Sequence, residues 1–167
     1  MILTLFFVPY AYATTAQDYL QDGNDAYRRG QYDHAIYAYT KALDIDPNLD
    51  KAYDNRGAAY AQEGSLPRAI DDFTMAIAAN PKDEQAYSNR GHAYDQKGDL
   101  LQAVADYSRV IAIDPLDVRG YKARGFIYYE LKQYDKAWDD VFKVEGLGGH
   151  VDGDFYRKLK LASDQGK

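Results

Sequence analysis

Cysteine is absent from the 167 residues, so a disulfide framework and any thiolate metal site are excluded, and the chain suits oxidising and reducing compartments alike. Histidine is scarce, and His34, His92 and His150 stand too far apart for the ligand spacing of a metal centre. Positive charge is the minority sign: 20 Lys and Arg face 26 Asp and Glu, a net charge of −6. A sequence-independent grip on nucleic acid needs clustered positive charge, so no nucleic acid partner is expected. No apolar run reaches the roughly 20 residues that a membrane-spanning helix takes. Gly146-Leu147-Gly148-Gly149 has no Gly-Lys-Ser or Gly-Lys-Thr behind it, which excludes a phosphate loop. Asp44 to Asp50 imitates the start of a calcium loop but puts Leu49 where the sharp-turn Gly belongs and Asn55 where the bidentate Glu belongs. No nucleophile stands with a base and an orienting group. Catalytic residues, metal and cofactor are therefore all expected to be none.

The longest apolar run lies at the start. Met1 to Val8 is almost wholly apolar, Pro9 breaks it, and Ala11-Tyr12-Ala13 offers a small-x-small cleavage site. Residues 1–13 read as a signal peptide or its C-terminal remnant, which implies export to a periplasm or the exterior and no stable membrane insertion after processing. If the segment is instead an apolar lead-in to the first helix, the protein is cytoplasmic.

What the chain does contain is repetition. Tyr19, Tyr53, Tyr87 and Tyr121 recur every 34 residues, as do Gly23, Gly57, Gly91 and Gly125, and Ala35, Ala69, Ala103 and Ala137. Pro47, Pro81 and Pro115 keep the same step, and Tyr39, Phe73, Tyr107 and Val141 follow each Ala by four. A 34-residue unit with aromatic, Gly, Ala, aromatic and Pro in this order resembles the tetratricopeptide repeat. The resemblance covers residues 16–145, as units 16–49, 50–83 and 84–117 and a partial unit 118–145.

The resemblance implies an all-α, right-handed solenoid of helical hairpins. Within unit three, Tyr87, Gly91 and Tyr94 share one helix face, and Ala103, Tyr107 and Val110 mark the buried stripe of a second helix. Gly30, Gly64 and Gly98 are placed to end first helices in a left-handed conformation, and each Pro ends a unit. In unit four Lys132 replaces the turn Gly, and the glycine-rich break after residue 145 predicts a second helix that stops early. Residues 154–163 then read as a capping helix over the last apolar face.

Two positions vary together. Arg56, Arg90 and Arg124 stand just before the repeated Gly, where the family usually has Leu, and unit one has Asp22 there. Asp72, Asp106 and Asp140 occur in the same three units, and unit one has Ala38. This predicts an Arg–Asp bridge between the two helices of each unit, the Arg stem covering apolar surface in place of Leu.

In this family the first helices line the concave face. The helix register assigns to it Gln17, Leu20, Gln21 and Asn24, then Lys51, Asp54, Asn55 and Ala58. Units three and four add Gln85, Ser88, Asn89 and His92, then Arg119, Lys122, Ala123 and Phe126. Asparagines can hold a peptide backbone through donor and acceptor together, and the lining turns basic and aromatic towards Arg119, Lys122 and Phe126. A subset of the family clamps the C-terminal carboxylate of chaperone peptides with Lys, Arg and two Asn. Asn24 and Asn55 match its amides, whereas Leu20, Gln85 and Asn89 stand where its cations belong, so that activity is not carried over. The expected function is a protein-interaction module, an adaptor or scaffold that takes a peptide segment or partner protein in its groove. The alternative is an assembly protein that self-associates through its repeat ends.

Overall fold

The computed structural model describes residues 14–165, so the expectation for residues 1–13 lies outside the described residues. Those described form nine helices and no strand: α1 (Ala16–Arg28), α2 (Tyr32–Ile45), α3 (Asp50–Gln62), α4 (Leu66–Ala79), α5 (Glu84–Lys97), α6 (Leu100–Ile113), α7 (Val118–Glu130), α8 (Tyr134–Gly146) and α9 (Gly153–Gln165). Odd and even helices pair as hairpins, and each hairpin packs on the next to give an all-α solenoid.

Local chemistry sets the boundaries. Thr15 caps α1 in a reciprocal box with Asp18, and Asp83 and Asp117 cap α5 and α7 with their carboxylates. The residues that end α2, α4 and α6, namely Asp46, Asn80 and Asp114, are extended because a proline follows each one. First helices end on left-handed Gly30, Gly64 and Gly98, and Lys132 takes the same conformation in unit four at φ 58°.

The hairpins close on the repeated glycines. A Cβ on Gly23 would lie 2.5 Å from the Tyr39 ring, while one on Gly91 would meet Asp106 Cβ and the Tyr107 ring at 3.3 Å. Gly23→Ala is expected to cost about 2 kcal/mol through overpacking, and Gly91→Ala to stay within about 1 kcal/mol because the better helix propensity of Ala offsets a mild squeeze. Urea unfolding of the two variants checks this order.

Each junction buries the same three-part cluster. Ala35 and Tyr39 meet Ala59, Ala69 and Phe73 meet Ala93, Ala103 and Tyr107 meet Ile127, and Ala137 and Val141 meet Leu159. Leu159 thus stands in α9 where the next unit's first helix would supply its residue. In that register the glycine position holds Arg157.

Two expectations need correction. The second helix of unit four runs to Gly146, one residue short of the position equivalent to Ile113, and so hardly stops early. The glycines act after it: Gly148 is left-handed at φ 76°, and Gly149 N–H returns 2.8 Å to the Val144 carbonyl. The terminal helix spans Gly153–Gln165 rather than 154–163, because Asp152 accepts from Asp154 and Phe155 N–H at its start.

Candidate functional site: the first-helix groove

Helices α1, α3 and α5 stand side by side, and their spacing depends on the Arg–Asp pairs behind them. Arg56 grips Asp72 through Nε at 2.7 Å and Nη2 at 2.8 Å; Arg90 holds Asp106, and Arg124 holds Asp140, in the same fork. The three carboxylates are buried, with Asp140 at 3% exposure. Two-point charge-assisted bonding is the strong form of this contact. The third guanidinium nitrogen reaches back to the preceding unit: Arg56 to Thr40 Oγ1 (2.9 Å), Arg90 to Thr74 (3.0 Å) and Arg124 to Ser108 (3.0 Å). Each hydroxyl spends its own proton on a carbonyl of its own helix, leaving the oxygen free to accept. Tyrosine faces flank the cations, with Arg90 5.7 Å from the Tyr87 centroid and 5.9 Å from Tyr94.

In unit one the arginine position holds Asp22, which meets His34 Nε2 at 3.2 Å on the surface. His34, on α2, is this pair's other half and remains half-exposed. Charge patterning does not disclose the backward bond, because its acceptor is a neutral hydroxyl. Its signal is present: hydroxyls at positions 40, 74 and 108, with Phe142 at the equivalent position of unit four.

In front of this scaffold a cavity of about 450 Å³ opens between α1, α3 and α5. Asn24, Asp54, Asn55, Gln85 and Asn89 line it with Tyr27, and Tyr27, Asn89 and His92 continue into a second hollow of about 140 Å³. The amides are less available than the sequence suggested. Asn24 Oδ1 accepts from both Tyr39 (2.9 Å) and Asn55 (2.8 Å), Asn89 Oδ1 accepts from Gln85 (2.8 Å), and Asn89 donates to Asp54 (2.9 Å). They form a ladder across the first three units, which places the groove's floor as much as it offers bonds.

The other expected groove residues are dispersed. Gln17, Gln21 and Lys51 are exposed outside these cavities, and Gln21 bonds Asp25. Leu20 is only 3% exposed and belongs to the core with Ala26 and Tyr39, as its apolar side chain dictates. Arg119 is answered by Asp117 and by Glu84 at 3.1 Å, so the basic end expected there is largely neutralised. Lys122 and Phe126 line a separate apolar hollow of about 180 Å³ beneath α9, where the Phe126 and Phe155 rings lie 5.8 Å apart. Tyr27, Gln62 and Gln96 are lining residues that the register did not single out, since they come from the last turns of their helices.

Asp54 is the groove's unusual group. Burial pushes its carboxyl up to about 6, and the nearby Asp83 and Asp50 push the same way against the Asn89 hydrogen bond. Its charge also faces the Tyr27 phenol on α1. A carboxyl raised in the folded state destabilises folding wherever it must be ionised, above about 6. Asp54→Asn is accordingly expected to be more stable than wild type by about 2 kcal/mol at pH 7–8. That gain shrinks as pH falls below 6 and vanishes near 3.8, where both folded and unfolded wild type are protonated. Thermal melts across that range measure it.

Among the described residues no group of three or more His, Asp and Glu gathers as a metal site. The arrangement is that of a groove between the first helices of a repeat scaffold. Family models agree: one described as "TPR repeat" matches residues 23–64 and 59–98, and one described as "Tetratricopeptide repeat" matches 84–116. The chain belongs to the tetratricopeptide repeat family. A solved structure of MamA superposes with TM-score 0.78 at 27% identity, covering 81% of this chain and 79% of that one. The first TPR domain of Spaghetti (RPAP3), solved bound to the HSP90 peptide SRMEEVD, superposes with TM-score 0.67 at 32% identity, covering 70% of this chain and 95% of that one. Hsp70-Hsp90 organizing protein 1 of Arabidopsis thaliana is 41% identical over 46 residues, which are 28% of this chain and 8% of that protein. The likeness is therefore to a module within a much longer relative.

Proposed function

We propose that the protein is a non-enzymatic interaction module that receives an extended peptide segment in the groove between α1, α3 and α5. One observation carries the reading: the side-by-side first helices leave a continuous, amide-lined hollow whose walls are fixed by cross-unit bonds. Relatives with the same scaffold are solved with peptides bound, such as the first TPR domain of Spaghetti (RPAP3) with SRMEEVD. A photo-crosslinking residue at His92, exposed at the groove, is expected to capture a discrete protein in the source cells, while one at exposed Lys136 on α8 does not. Capture from Lys136 alone would move the function to the outer surface.

A second reading, self-association, is favoured by Phe142. It is 57% exposed, stacks on Trp138 at 5.6 Å and stands where earlier units carry a hydroxyl. Sedimentation that stays monomeric at all concentrations removes this reading. Export is proposed on the pattern of Met1 to Ala13, and an intact mass beginning at Thr14 is its expected result.

A further inference from the structure

The groove's floor carries a carboxylate, Asp54, where a carboxylate receptor needs a cation. Asp54 lies at its floor, half-buried, with one carboxylate oxygen accepting from Asn89 Nδ2 at 2.9 Å. The other oxygen takes no bond among the described residues, and no side-chain polar atom is buried without a partner, so it faces the open hollow. The one cation among the residues that line the hollow, Arg28, is already engaged: Nη2 meets Asp25 at 2.6 Å and Nε donates to the Asn24 carbonyl. Asp50 and Asp83 add to the negative field at Asp54, and among the described residues no cation pairs with it.

Beside the carboxylate stand the Tyr27 ring and the Ala58 methyl, both lining the same hollow. A carboxylate next to an aromatic face and a small apolar surface suits a long basic side chain. The ring and the methyl would take the aliphatic stem, and the carboxylate the charged head. Gln85, at the rim, is left to meet the backbone of the same segment. Resting on the groove reading above, we infer that the segment this groove receives is a peptide carrying a Lys or Arg side chain whose head pairs with Asp54, and not one anchored by a C-terminal carboxylate. An ionised carboxylate held there without a cation lowers the stability of the free protein. Such a cost is expected of a binding residue that is completed by its ligand.

Three peptides test this by side-chain and backbone amide NMR of the whole chain. The first is an acetylated, amidated heptapeptide of Ser and Ala with one central Arg; the second replaces that Arg by uncharged citrulline; the third is acetylated MEEVD, the Arg-free end of SRMEEVD, with its free carboxylate. With each raised to about 10 mM, where weak single-anchor binding saturates, the Arg peptide is expected to shift the Asn89 and Asn55 amides. The citrulline peptide should bind at least about tenfold more weakly, and Asp54→Asn should weaken the Arg peptide by the same factor. Because Asp54→Asn is expected to be more stable than wild type, loss of binding in it is not loss of fold. Preference for the Arg-free MEEVD peptide, or equal binding of the Arg and citrulline peptides, overturns the inference while leaving the groove as the receptor. Shifts confined to residues outside the groove for all three peptides overturn both.

Discussion

Replacing Asp106 by Ala is expected to destabilise the protein by about 3 kcal/mol, the largest effect of any single polar substitution in the scaffold. The change strands the Arg90 guanidinium, 16% exposed, with Thr74 and two tyrosine faces but no counter-charge. Removing one partner of a buried pair costs about 3–5 kcal/mol, far above the 0–1 kcal/mol of an exposed pair, and the partial exposure of Arg90 puts this site at the lower end. Arg90→Leu alone should be comparably harmful, because it leaves Asp106 buried at 4% exposure without its cation. The double variant Arg90→Leu/Asp106→Ala removes both charges and puts the apolar residue that the family ordinarily uses against a small one. It should lose well under the sum of the single losses, with a coupling of at least about 1.5 kcal/mol. Urea unfolding of the three variants measures it, and strict additivity would mean that the fork contributes nothing as a unit. The effect should also cross the unit boundary. Thr74→Val takes away the back-bond from α4, and hydrogen exchange should then quicken at the α4–α5 junction.

The periodicity made the fold legible because each repeated residue answers a local need that recurs unchanged. A glycine lets two helices touch, an alanine sits at the crossing and a proline stops the chain. The Arg–Asp pairing was legible for a similar reason: two charges that appear and vanish together in four copies act as an internal alignment. The hydroxyls at 40, 74 and 108 obey the same rule but are neutral, and their bond runs to a neighbouring unit, so they carry no charge signature. The groove was harder to read. A helical register says which way a residue points, but not whether its neighbour has already taken its hydrogen bonds. Asn24 and Asn89 look alike in sequence to free amides, and it is their spacing across units that engages them. Arg119 fails as a groove cation for the same reason, since Glu84 reaches it from the preceding unit. Site residues in a solenoid are decided by contacts 30 or more positions apart, as in Asn24–Asn55 and Asp54–Asn89, and single-helix patterns do not contain them.

Leu159→Ala is the second change expected to act strongly, and it separates a cap from a repeat. Leu159 is fully buried against Ala137 and Val141, and α9 adds to that contact a Phe155 ring, the edge-on Tyr156–Trp138 pair at 4.9 Å and the Trp138–Ser163 bond. Truncating a buried Leu costs about 2–5 kcal/mol, and a terminal helix has few other contacts to offset the loss. In a chain of stacked units, stability is close to a sum over neighbours, so the loss should stay at the end where it is made. Hydrogen exchange is therefore expected to lose protection throughout α9 and the end of α8 while α1 to α5 keep theirs. A uniform loss would show instead that α9 belongs to one cooperative core. Release of α9 also bares Val141 and Val144, which are 3% and 1% exposed beneath it, next to the already exposed Phe142. The variant should then gain mass with concentration in sedimentation more steeply than the intact chain. If it stays monomeric with α9 unfolded, the repeat end is no adhesive surface, and the self-association reading loses its footing there.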